Sequence, residues 1–159
     1  MKTIFMNRLN FLLILLVTLV GCKNNSVVNG IEVSELLIIS ANNQHVNYRK
    51  LLRESTEGNA KSTKELALLK FYDASGYDHG AVIVDLIDLI GEDKFIQSLS
   101  MINKKQKKDI EGYIEVGLEY GNNPKFQNKS IKEAFPKIYF FLMSFNVSEV
   151  MYGNVSDLA

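Results

Sequence analysis

The residues best placed to do chemistry sit together in Tyr77-Asp78-His79-Gly80. An imidazole beside a carboxylate can relay a proton in acid–base catalysis or contribute to a metal site. On that reading the chain is a hydrolase or a metal-dependent enzyme using Asp78 and His79, with a further carboxylate such as Asp73 or Glu119 brought alongside. The competing reading is structural. Asp78 accepts amide bonds at the start of the following helix, where negative charge is favoured. His79 is then a first-turn residue and Tyr77 packs. The structural reading is preferred, because a histidine metal site needs a second ligand at short spacing, and the other histidine, His45, is remote in a polar stretch.

Two charged clusters are weighed the same way. Asp73, Asp78, Asp85, Asp88, Glu92 and Asp93 make the middle of the chain acidic. They lack the alternating ligands, central glycine and distal glutamate of a calcium loop, so they read as caps and solvated helix faces. Lys104-Lys105-Gln106-Lys107-Lys108 is the basic cluster. It opens a helix, against the preference of the dipole, and Asp109 and Glu111 follow, so it reads as a solvated face rather than a phosphate patch. The chain carries no Gly-x-Ser-x-Gly nucleophile motif, no phosphate-binding glycine loop and no cysteine pair for zinc. No cofactor and no metal is expected.

The elements that must position these residues are helical. Residues 31–40 fit either a strand or a helix capped by Ser34, and helix is preferred because a lone strand would have no partner. A short helix fits 46–54, stopped by Gly58. Ser62-Thr63-Lys64-Glu65 has the form of a capping box, opening a helix that carries Leu66 and Leu69 and ends at the turn-like Asp73-Ala74-Ser75-Gly76. The strongest pattern follows: Ile83, Leu86, Ile87 and Ile90 at helical spacing, widened by Val82 and Leu89. This central helix leaves Asp85 and Asp88 on its free face and ends at Gly91. Asp93 caps a helix with Phe95, Ile96, Leu99 and Ile102. Asn103 and Gln106 form a second box, opening a helix that carries Ile110, Ile114 and Leu118 and ends at Gly121. Ser130 and Glu133 form a third, followed by Ile138, Tyr139, Leu142 and Phe145, with a kink or restart at Pro136. The aromatic side chains Phe140, Phe141 and Phe145 of this last helix read as core, and one more turn is expected around Val150 and Met151.

Composition narrows the partners. The 159 residues carry 18 basic and 18 acidic side chains, without the basic surplus of a nucleic-acid binder. The chain has one cysteine, Cys22. It closes Leu19-Val20-Gly21-Cys22, at the end of an apolar run preceded by Lys2 and Arg8. Basic head, apolar middle and a small residue before the cut is the anatomy of a secretory signal, and the run is short for a transmembrane helix.

With cysteine directly after the small residue, this stretch resembles the lipobox of bacterial lipoproteins. The resemblance implies a signal peptide over 1–21 cleaved before Cys22, lipid on the Cys22 thiol and attachment to the cell envelope, with Lys23 favouring the outer membrane where the host has one. Residues 22–30 then read as the lipidated N-terminus and a flexible tether, and 31–159 as one domain. The fold expected is all-α, an irregular bundle or stacked helical hairpins of about six helices joined by short loops. The expected function is binding of another macromolecule, a protein partner in the envelope, in an immunity, inhibitor or assembly role. The alternative is the Asp78/His79 enzyme. A small-ligand carrier is a third reading, needing an apolar pocket between helices.

Overall fold

A computed structural model describes residues 26–144 of this chain. The signal peptide, Cys22 and the turn around Val150 and Met151 lie outside the described residues, as does Phe145. The described chain is mostly helical, with eight helices and one small sheet.

The sheet is a hairpin of β1 (Ser26–Val28) and β2 (Ile31–Val33), antiparallel, with Val28 opposite Ile31. Asn29 and Gly30 both take positive φ, 49° and 91°, the backbone of the tight turn that matches strand twist and selects Asn-Gly. Val28, Ile31 and Val33 are buried. This corrects two expectations. The folded domain begins inside the stretch read as tether, and residues 31–33 are strand, because that stretch supplies the partner strand. Only from Glu35 on is the segment helical: α1 (Glu35–Asn43) is capped by Ser34, whose hydroxyl accepts from the Leu37 amide at 3.1 Å.

The next two helices, α2 (Tyr48–Thr56) and α3 (Ala60–Ala67), are capped by Asn47 and Asn59. The Ser62–Glu65 capping box does not form. Asn59, three residues earlier, opens the helix first, and the Ser62 hydroxyl donates instead to Glu54 Oε2 at 2.6 Å, joining α3 to α2.

The central helix α4 (Asp73–Ile90) starts earlier than its composition suggests, since Asp73-Ala74-Ser75-Gly76 forms its first turn. The chain swings in through Asp73 at φ 52°, and Ser75 Oγ donates back to the Tyr72 carbonyl at 2.8 Å. Its apolar stripe, with Val82, Ile83, Leu86 and Ile87, is buried. Gly91, at φ 85°, ends it and caps α5 (Glu92–Ser98). Asp93 is therefore a first-turn residue, paired with Lys137 at 2.6 Å, rather than the cap.

Against α4 lies α6 (Lys104–Tyr120), opened by the Asn103/Gln106 box and ended at Gly121 as expected. The two helices meet backbone to backbone. A Cβ on Gly80 would collide with the Tyr113 carbonyl and lie 2.7 Å from Val116 Cγ2; one on Gly117 would collide with the Gly80 carbonyl. The chain then breaks at Pro124 and returns as α7 (Ile131–Ala134), with the Ser130/Glu133 box, and α8 (Pro136–Met143), which restarts at the proline. Phe135, the N-cap residue of α8, has no capping side-chain bond; Glu92 of α5 supplies the acceptor for the Ile138 amide at 2.9 Å. In α8 it is Ile138 and Leu142 that are buried, while Phe140 is exposed.

Candidate functional site

Helical spacing puts Asp78, Ala81, Asp85 and Asp88 on one face of α4. That face is the floor of a cleft of about 630 Å³. The hairpin supplies one wall, with Asn29, Glu32 and the following Ser34, and the loop after α6 supplies the other, with Asn122, Asn123 and Pro124.

Each aspartate is held by a neighbouring element. The Ser34 hydroxyl, which already accepts the α1 capping bond, donates to Asp78 Oδ2. Asn123 Nδ2 donates to Asp85 Oδ1 at 2.9 Å. Asp88 is ion-paired with Lys125. Burial pushes the Asp85 carboxyl above its ordinary range, against the pull of the Asn123 bond, and the nearby charges of Asp88 and Glu32 push it the same way. With Asp88 already paired to Lys125, Asp78, Asp85 and Glu32 still give the cleft an acidic lining, which favours cationic groups there over anions.

Asp78 and His79 do not form the pair that their adjacency suggests. Successive residues of a helix point about 100° apart, so Asp78 reaches the cleft while His79 turns into the core. Asp78 is also not a helix cap, because α4 begins five residues before it and its partner is the Ser34 hydroxyl rather than an amide. Nor is His79 a first-turn residue. It is fully buried, and Tyr48 Oη lies 2.8 Å from its Nδ1. Phe71 and Tyr113 flank the ring with centroids at 5.0 and 4.7 Å, and Nε2 has no hydrogen-bond partner. Burial alone lowers its pKa from 6.5 to about 3.

The further carboxylates lie elsewhere. Asp73 borders a groove of about 460 Å³ between α4 and α6, lined by Tyr72, Tyr77 and Tyr113. Glu119 borders a separate cavity near Lys129 and Ser130. Tyr77, read as a packing residue, is half exposed and stacks on Tyr120 with centroids 5.0 Å apart. His45 is exposed. Among the described residues, no three His, Cys, Asp or Glu side chains are placed to hold a metal ion.

The basic cluster also divides. Lys105 pairs with Asp109 at 3.2 Å, but Lys107 is buried rather than solvated. Its Nζ donates to the carbonyls of Phe141 and Ser144 at 2.9 and 2.8 Å and sits 4.5 Å over the Phe141 ring. An ammonium on the free carbonyls of a helix C-terminus is favoured by the dipole, so Lys107 fastens α8 to α6.

Sequence reasoning missed the Ser34–Asp78 bond and the contribution of Asn122, Asn123 and Lys125 to the cleft. Nothing local marks those residues, which reach α4 only through the packing of α6. The burial of His79 did have a signal. It stands four residues before Ile83 and seven before Leu86, so it extends the apolar stripe by a turn.

No helix among the described residues is long and apolar enough to cross a membrane. No protein-family model, no curated protein and no solved structure matches this chain.

Proposed function

We propose that this chain is a bacterial lipoprotein, cut before Cys22 and held at the cell envelope by lipid on that thiol, whose helical domain binds a protein partner. The anchor rests on Leu19-Val20-Gly21-Cys22 behind its basic and apolar leader. The observation that carries the binding role is the cleft. It is open to solvent, built from three separate parts of the chain, and floored by Asp78, Asp85 and Asp88. A partner presenting lysine or arginine side chains matches it in charge. Where the partner is an exported toxin, the chain acts as an immunity or inhibitor protein; where it is an envelope component, the role is assembly. Lys23 directs the protein to the outer membrane where the host has one. The enzyme reading is weaker, since Asp78 and His79 serve different faces of α4.

Two measurements test this together. Cys22→Ala abolishes incorporation of labelled lipid and leaves an unlipidated precursor that keeps its apolar leader; normal labelling would refute the anchor. The lipid-bearing protein, cross-linked in its envelope, captures a partner that is lost in the Asp85→Asn/Asp88→Asn double variant. Equal capture by a folded double variant would refute the cleft as the binding surface.

A further inference from the structure

His79 joins three parts of the fold. It rises from α4, takes the Tyr48 hydroxyl of α2 on Nδ1, and lies edge to face with Tyr113 of α6. Tyr113 in turn holds the segment before α4, its hydroxyl donating to the Phe71 carbonyl at 3.1 Å and accepting from the Phe71 amide at 2.9 Å. The direction of the Tyr48–His79 bond follows from counting protons. The Tyr48 phenol is kept protonated by burial first, then by Asp78 and Tyr113, and its O–H has His79 Nδ1 as its partner. Neutral His79 therefore accepts on Nδ1 and carries its proton on Nε2, leaving one polar atom unpaired.

A second proton cannot be accommodated in this arrangement. With both ring nitrogens donating, the bond to Tyr48 must invert, which strands the Tyr48 proton, leaves Nε2–H unpaired and buries a net charge. Among the described residues no carboxylate bonds to the ring, and burial is what lowers its pKa. Tyr48 and Tyr113 are the titratable groups that reach the ring from α2 and α6. Asp78, its neighbour in α4, is turned toward Ser34, and Asp109 of α6 is occupied by Lys70 and Lys105. The segment before α4 presents the Phe71 ring to His79.

We infer that His79 is an acid-sensitive pin: only in its neutral form does it tie α2 to the α4–α6 pair, which the Gly80–Gly117 contact keeps together, so acid weakens the fold through the proton that the opened chain takes up. The protein is folded with His79 neutral, and the unfolded chain binds the proton more readily. Stability is therefore complete above pH 6.5 and falls as pH drops toward about 3, by up to tenfold in the folding constant per pH unit. A domain outside the cytoplasm would follow the pH of its surroundings, and only this last remark rests on the lipoprotein reading.

The test is urea unfolding of the full chain in detergent from pH 8 to 5, compared with His79→Asn, which keeps an acceptor for Tyr48 but cannot titrate. The wild type loses roughly tenfold more folding constant per pH unit below 6.5 than the variant. In a His45→Gln background the single remaining ring signal belongs to His79, and by NMR it stays neutral in the folded protein to pH 5. Equal pH slopes, or a folded His79 signal titrating near 6.5, would overturn the inference. The NMR measurement decides the matter even where His79→Asn does not fold. None of these readouts depends on lipid at Cys22, so failure of the anchor and failure of the pin are distinguishable.

Discussion

Asp85 illustrates what a side chain at the cleft costs the fold. Its carboxyl titrates higher in the folded protein than in the unfolded chain, so it favours folding in acid, and that contribution is lost as pH rises through its folded value. At neutral pH the ionised group is a burden. Asp85→Asn retains an oxygen to accept from Asn123 and removes the charge. The expected outcome is a higher urea midpoint at pH 7, with the gain disappearing in acid. On the proposed binding role, a charge kept at a cost to stability is what a working surface would carry.

At the scale of the element, the glycines of α4 and α6 separate packing from propensity. Gly80→Ala and Gly117→Ala each force apart two backbones in contact, and overpacking of this kind costs about 1–3 kcal/mol. Gly112→Ala, on the same helix as Gly117 but facing open space, should instead stabilise by about 0.5–1 kcal/mol through helix propensity. Thermal unfolding of the three variants reads both signs. This contrast also explains what was legible in the sequence. The Asn103/Gln106 and Ser130/Glu133 boxes, the restart at Pro136 and the stops at Gly91 and Gly121 were readable because each is decided within a few residues. The Ser62 box failed because Asn59 competes for the same helix start, and Glu54, on another helix, settles the contest. Asp73-Ala74-Ser75-Gly76 has the composition of a turn, and only the continuation of α4 into Gly80 makes it helical. Asn29-Gly30 did carry the hairpin signal, masked by the asparagine-rich stretch before it. The cleft was half legible: the spacing of Asp85 and Asp88 marks their face, while Ser34, Asn123 and Lys125 arrive through tertiary packing.

For the whole molecule, the charge pattern sets how the proposed partner would be met. The full chain is neutral in sum, and loss of Lys2 and Arg8 with the proposed leader would leave it only slightly acidic. Attraction to the proposed partner would therefore arise from the local field of the cleft, within about 10 Å at 0.1 M salt. Partner binding measured by surface plasmon resonance should weaken as salt rises, chiefly through slower association. Salt-independent binding would place the contact away from Asp78, Asp85 and Asp88.

The hairpin carries a geometric consequence. Four residue steps separate Cys22 from Ser26, and a fully extended chain advances no more than about 3.6 Å per residue. On the proposed anchor, the first strand thus stands within about 14 Å of the lipidated sulfur's own residue. Such a leash would keep the hairpin end of the domain close to the head groups. On that anchor Asn29, Glu32 and Ser34, which wall the cleft, would stand near the bilayer plane, and the proposed partner would approach along the membrane rather than from bulk solvent.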